Sequence, residues 1–503
     1  MKQTDLPGDP SELLVRLGCS PRQNAGHSSS RRYSGPGPSD PVPSVSPANT
    51  AVRRPDFLSE LFLSLQKLKG SHFRELAWLL SLNVSAVILG FGLIKLISRI
   101  GTVEYGKFAL VLSIVPLINA AVYTPIDQFC QRYFYTYLRE ETITSFTATV
   151  FHLLKVLGVL FGLLFTVALL VLRFGFDLDF RAVLFAAVAG SYILVFANAI
   201  PFQSLLNTMR LRRHVALLAA GEKLAQLVVL AALFSFVGLN SLWVLGVFGA
   251  LGTIFLIAKI KLVKIWILEK KGSAVIHDQQ RSQHVNRQLL VFAFPIVAFG
   301  LLQWFQSYSE RWVIQFTLDL YSVGIYAFMV MLANTSLMLV LSATSQFIGP
   351  IIWEKFSDLN DSGKIAVGMK LIRLNVLFIA SLTALSAVAL YFGGDRAIRI
   401  LGNDKFSGSA KLLPLIFIGI GLFYIGQGLN AVGFGYNRMP KYTLAKLTGA
   451  ILTVVLYLVG ARFWGLSGIA WASVLTNTIY VLLTMLANRG IARERAGTAV
   501  FAV

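Results

Sequence analysis

Two cysteines, six histidines and 24 acidic residues in a chain of 503 exclude several kinds of chemistry at the outset. Cys19 falls in a polar tail and Cys130 in an expected cytoplasmic loop, so neither a disulfide framework nor a four-cysteine metal site can be assembled. No His-Glu-x-x-His element occurs and no Ser/His/Asp set comes together, which leaves intramembrane proteolysis and acyl transfer without support. A Gly-x-x-x-x-Gly-Lys-Ser/Thr phosphate loop is missing, and there is no room for a nucleotide-binding domain. Any transport must then be driven by gradients rather than by ATP hydrolysis in this chain. Asp395 and Asp404 come nearest to the paired acids of a glycosyltransferase, and they fit a solvated surface turn. The expectation is a protein that is not an enzyme and uses no cofactor and no metal.

Charge of either sign is scarce, at 14%, whereas 55% of the residues are hydrophobic and the mean hydropathy is +0.67. The apolar residues gather in twelve runs, each near the about 20 residues that cross a hydrocarbon core. The first six are Leu76 to Ser98, Phe108 to Ile126, Thr147 to Leu172, Ala182 to Phe202, Val215 to Val237 and Leu242 to Ala258. The second six are Leu289 to Tyr308, Val323 to Ser345, Leu374 to Phe392, Leu412 to Phe434, Tyr442 to Val459 and Leu466 to Ala487. This pattern predicts an all-α integral membrane protein.

The formal charge of +21 would suggest nucleic acid on a soluble domain, but here the cations collect in short loops between apolar runs. One set of loops holds Arg210, Arg212 and Arg213, then Lys259 to Arg287, then Arg438, Lys441 and Arg489; the opposite loops are poorer, although Lys107, Arg396 and Arg399 lie there. The positive-inside rule then places both termini in the cytoplasm and requires an even number of spans. No nucleic acid partner is expected.

Residues 1–55 are rich in Ser, Pro, Gly and Arg and predict a disordered tail, with no run long enough for a cleaved signal peptide. Over residues 56–72, Phe57, Leu58, Leu61, Phe62, Leu65 and Leu68 repeat at helical spacing. That suits an amphipathic helix on the cytoplasmic surface or a cytosolic extension of the first span. A basic cytoplasmic linker, 259–288, separates an N-lobe, 76–258, from a C-lobe, 289–487, and a cytoplasmic tail, 488–503, follows. The two sets of six echo each other. Thr102-Val-Glu-Tyr-Gly-Lys-Phe108 resembles Ser322-Val-Gly-Ile-Tyr-Ala-Phe328, and Gly238 to Trp243 resembles Gly465 to Trp471. An even count per half relates the lobes by a pseudo-two-fold axis along the membrane normal.

Polar groups at membrane depth are the informative minority, because a charge there costs about 2.5–3.5 kcal/mol even on insertion scales. Glu222 in the fifth run is the ion-coupling candidate; it also fits a local ion pair near the cytoplasmic interface. Lys95, near the outer end of the first run, either snorkels or attracts phosphate, and His152 and Lys155 carry the same ambiguity. In the second half, Gln303 and Gln306 line up in the seventh run, the Glu310-Arg311 pair at its outer end pins the helix end or contacts a sugar, and Asn334, Gln427 and Asn430 add neutral hydrogen-bonding groups. These are cavity-lining candidates or interhelical glue.

Arg99-Ile-Gly-Thr-Val-Glu-Tyr-Gly-Lys-Phe108 resembles the Arg-x-Leu-Gly-x-x-x-Tyr-Gly-x-Phe signature of bacterial polysaccharide biosynthesis proteins, the O-antigen and exopolysaccharide flippases. Pro295, Glu310-Arg311 and Val323-Gly-Ile-Tyr326 resemble that family's second-half pattern, while Ile100 replaces its usual leucine and the tail before Phe57 departs from it. The resemblance implies a fold of the multidrug/oligosaccharidyl-lipid/polysaccharide (MOP) flippase superfamily. It also implies export of a polyprenyl-diphosphate-linked oligosaccharide across the bacterial inner membrane, with membrane lipids, a polysaccharide polymerase and glycosyltransferases as partners. Lys95 and Arg99 are then expected at the diphosphate or glycan, with Lys155, Gln303, Gln306, Arg311, Asn334, Gln427 and Asn430 around the cavity. A drug/cation antiporter of the same superfamily and a non-transporting synthase scaffold are the other readings.

Overall fold

The computed structural model describes residues 70–139, 142–175, 179–270, 279–356, 361–402, 404–436 and 438–500. The chain divides between Lys67 and Leu68, and every described residue lies in the second unit. The expected tail 1–55 and the amphipathic helix up to residue 69 lie outside the described residues; residues 70–72 open the first helix.

Hydrocarbon offers no partner to a peptide group, so each apolar run closes its own backbone bonds as a helix. The first-half helices are α1 (Gly70–Ser98), α2 (Thr102–Ile118), α3 (Thr124–Arg139), α4 (Ile143–Leu170), α5 (Phe180–Thr208), α6 (Arg212–Phe236) and α7 (Ser241–Lys270). A π-helical turn, Asn119–Tyr123, joins α2 to α3 without a break. The second half comprises α8 (Gln279–Thr317), α9 (Leu320–Lys355), α10 (Ser362–Leu401), α11 (Leu413–Gly435), and a last helical stretch, Thr443–Val500. That stretch is broken at Gly465 into α12 (residues 443–464) and α13 (residues 466–500). Gly465 has φ +58° and ψ −139°, a backbone conformation open in practice to glycine alone. Gly460 and Gly468 then meet backbone to backbone across the turn.

Among the described residues ten helices are long and apolar enough to cross a membrane, with Val84–Ser98 a shorter apolar helix. Large apolar side chains such as Leu163, Phe294, Phe316, Leu385 and Phe392 are exposed on the protein's surface, as a lipid-facing perimeter requires. Two expectations are corrected. Cys130 is not in a loop: α3 continues the second run as an amphipathic helix to Arg139, and Cys130 is buried in it beside Phe129 and Phe134. The basic linker also begins later, because α7 runs on to Lys270 and α8 starts at Gln279. Val263 is buried among the lysines of the α7 extension, so the apolar face that pays no heed to the charges keeps the helix docked.

Within the first half α5 packs on α7 and α1 on α6; within the second, α11 packs on α10 and on the α12–α13 hairpin. The halves meet through α2 against α9 and through α2 and α3 against α8. Tyr105, Phe108, Phe248, Phe328 and Phe406 interlock edge to face or tilted in a core that crosses this junction. Arg311 donates to the Ala109 carbonyl at 2.9 Å, and Trp304 and Trp312 donate to the Ser113 carbonyl at 2.7 Å and hydroxyl at 2.9 Å. Further along, Phe129 packs on Phe292 and the Tyr137 hydroxyl donates to Gln288 at 2.9 Å. Glu104 ties α2 to α7 by accepting the Ser241 amide at 3.1 Å, and pairs within α2 with Lys107 at 2.6 Å.

Candidate functional site

Gln303, Gln306, Ser307 and Glu310 stand at i, i+3, i+4 and i+7, so α8 presents all four along one face. That face forms a wall of a cavity of about 290 Å³ between α8, α9, α11, α12 and α13. Asn334 enters from α9, Phe423 and Tyr424 from α11, Tyr457 from α12, and Ser473 and Asn477 from α13. A second cavity of about 380 Å³ shares Met338 and Tyr424 with the first; Gln427 and Asn375 are its amides among mostly aliphatic residues.

The polar groups of the first cavity are only partly used by the protein. Tyr424 donates to the Asn334 carbonyl oxygen at 3.3 Å and Asn477 donates to the Gly419 carbonyl at 3.1 Å. The Gln306 side chain is buried, and neither its nitrogen nor its oxygen has a hydrogen-bond partner. Both Glu310 carboxylate oxygens also lack a hydrogen bond, although the Arg311 Nε lies 3.7 Å from one of them. Arg311 itself rests over the Tyr308 ring, 5.4 Å from its centre. Buried amides and hydroxyls without partners are costly, and they accept a polar ligand or water readily.

The structure brings together Gln303, Gln306 and Asn334 in the first cavity and places Gln427 in the second. Asn430 is buried beside them, donating to the Tyr480 hydroxyl at 2.7 Å and to Gln427 at 3.4 Å. Arg311 stands next to the first cavity, turned toward α2. Lys95, Arg99 and Lys155 are exposed on first-half helices and line neither cavity. The Arg99 guanidinium lies over the Phe234 ring, 5.1 Å from its centre, which joins it to α6. Glu222 pairs with Lys259 of α7 at 3.6 Å, not with its neighbour Lys223, whose ammonium donates to the Ala86 carbonyl of α1 at 3.0 Å. Sequence reasoning missed Asn477, Ser473 and Tyr457, and read the Glu310-Arg311 pair as a pin of the helix end or a sugar contact. The Gln303–Gln306 row, continued by one turn, leads to Glu310.

No family model matches the sequence and no curated protein matches it. Solved structures do. The lipid II flippase MurJ in an inward closed conformation superposes with a TM-score of 0.60 at 16% identity, over 82% of this chain and 87% of that one. An inward-facing multidrug resistance MATE family transporter of the MOP superfamily gives 0.58 at 13%, over 84% of this chain and 99% of that one. The chain shares the fold of these structures. The Vibrio cholerae MATE transporter VcmN, as a point mutant, gives 0.55 at 16%, covering 84% and 96% of the two chains. The chain therefore shares an all-α membrane fold with these structures, and at this level of identity the likeness carries the fold alone.

Proposed function

We propose that this chain is a gradient-driven flippase that moves a polyprenyl-diphosphate-linked oligosaccharide from the cytoplasmic to the outer leaflet of the bacterial inner membrane, with both termini in the cytoplasm. The observation that carries the reading is the lining of the first cavity. Amides, hydroxyls and aromatic rings dominate it, and the carboxylate among its lining residues, Glu310, already has a guanidinium beside it. Such a surface offers paired donors and acceptors to sugar hydroxyls and ring faces to sugar C–H groups. A drug/cation antiporter would instead need carboxylates free of a counter-charge.

The shared fold with a lipid II flippase supports a lipid-linked substrate. The lipid tail would stay in the bilayer while the head group passes between two six-helix lobes that rock about their junction. Lys95, Arg99 and Lys155 are exposed cations suited to the diphosphate. Glu222 already has Lys259 as counter-charge, which favours a junction between α6 and α7 over ion coupling. Polymerase and glycosyltransferase partners would supply and consume the substrate.

Reconstitution into vesicles with labelled lipid-linked oligosaccharide tests the proposal. Leaflet exchange that falls on Asn334→Ala and Gln306→Ala supports it. A scaffold gives no exchange, and exchange of an organic cation in place of the glycan lipid would make the chain an antiporter.

A further inference from the structure

Lys446, on α12, is buried completely: its relative exposure is 0%, and its ammonium nitrogen has no hydrogen-bond partner. Three rings surround it in place of a counter-ion. The Tyr480 ring centre is 4.8 Å from Nζ, that of Phe423 5.4 Å and that of Phe299 5.8 Å. They come from α13, α11 and α8, so three helices of the second half converge on one amine.

Neither of the ordinary roles for a lysine at this depth fits. A snorkelling lysine carries its ammonium to water, and this one is enclosed. A lysine in a structural ion pair lies within 4 Å of a carboxylate, and among the described residues no such pair includes Lys446. An ammonium held away from water without a counter-charge is strongly penalised, while three ring faces return part of that loss. The balance between the charged and neutral forms is therefore sensitive to what surrounds the amine.

The partition between Lys446 and the cavity is thin. Phe423 lines the cavity and also faces the ammonium. Gln306 lines it too, and its amide nitrogen lies 2.8 Å from where a β-carbon on Gly449 would be, one turn along α12 from Lys446. A side chain there would press on the Gln306 amide, which has no partner of its own. A shift of Gln306 or Phe423 would let cavity water reach the amine. Tyr480 is the titratable group whose ring faces Nζ; farther along the packed elements lie Tyr308, Glu310 and Arg311 on α8 and Tyr424 on α11.

We infer that Lys446 is the proton carrier of the transport cycle, which makes the driving gradient one of protons. This rests on the flippase reading above and names its coupling ion. In one state the neutral amine takes a proton from cavity water and becomes an ammonium held by the three rings. In the other state an N–H bond breaks and the proton returns to water on the opposite side. One proton crosses per cycle and no electrons move. A metal cation has no place at this site, since the groups that meet here are an amine and ring faces rather than carboxylates.

The test uses the full chain, with Lys446→Gln fixed as neutral and Lys446→Arg fixed as charged. In vesicles, a pH gradient alone should drive accumulation of labelled glycan lipid by the natural protein. Both variants should lose that accumulation while keeping gradient-free exchange. Accumulation retained by either variant, or driven by sodium and not by protons, overturns the assignment. A second arm needs no substrate. Trp304 and Trp312 sit at the junction of the halves, so tryptophan emission of the purified protein should change with pH in the natural protein and stay flat in both variants. Titration unchanged in the variants overturns the assignment; absent glycan exchange with lost titration in the variants overturns the flippase reading alone.

Discussion

Gly106 and Gly324 touch backbone to backbone where α2 crosses α9: a β-carbon on Gly324 would lie 1.9 Å from the Thr102 carbonyl oxygen, and one on Gly106 2.3 Å from that of Leu320. Lipid supplies no hydrophobic drive between helices, so close approach of this kind is what holds the halves together here. Gly324→Leu should separate the two helices at a cost of about 1–3 kcal/mol. The thermal midpoint in detergent should fall; an unchanged midpoint would mean that the crossing yields without loss.

Arg311 joins the cavity wall to α2 through the Ala109 carbonyl and stands beside Glu310. Arg311→Met removes both contacts and leaves a buried carboxylate alone, which should destabilise the fold by about 3–5 kcal/mol. The double variant Glu310→Gln with Arg311→Met should recover part of the loss. Denaturation of the single and double variants in detergent measures the difference, and equal stability of the two would dissociate the pair.

Lys259 is 5% exposed and has Glu222 as its carboxylate neighbour. Glu222→Gln should therefore lower the amount of folded protein in the membrane, with export per molecule unchanged. Immunoblotting of membranes beside an export assay separates the two quantities. Export that falls while the amount of protein stays constant would make Glu222 the coupling group after all.

Asp361 caps α10 by accepting the Lys364 amide at 3.0 Å, and the Lys364 ammonium lies 3.2 Å away. The amide bond and then the ammonium hold the carboxyl below its ordinary range. A depressed acid stabilises the folded form above its unfolded pKa, and that contribution disappears as the pH falls through the folded value, below the about 3.9 of a free aspartate. Hydrogen exchange at the Lys364 amide, corrected for its intrinsic rate, should accelerate below that point and should do so at every pH in Asp361→Ala. Protection that is indifferent to pH and to the substitution would show the cap to be idle.

The apolar runs made the helices legible, since in hydrocarbon a long apolar stretch has few alternatives to helix. The amphipathic ends of α3 and α7 were harder to see, because the charges of the α7 lysines mask the buried row that includes Val263. The cavity was half legible. Gln303, Gln306, Asn334 and the Glu310-Arg311 pair stood out as polar residues in or beside apolar runs, yet Asn477 acquires meaning only when α13 and α8 face each other. Lys446, four residues into its run, reads like any lysine near an interface. Which way its stem turns is set by the rings of three other helices, one of them, α8, distant in the sequence.

The π-helical turn at residues 119–123 inserts a wider loop of backbone into an otherwise continuous rod. Before it, Ala109 and Ser113 receive the donors of Arg311, Trp304 and Trp312; after it, Phe129 and Tyr137 meet Phe292 and Gln288 of the same partner helix. The extra residue resets the angular phase of the rod, so that both of its ends face α8 although the untouched helical repeat would have carried one of them away. Excising Ala121 would return the rod to the regular α-helical phase, and one end of the junction would have to let go.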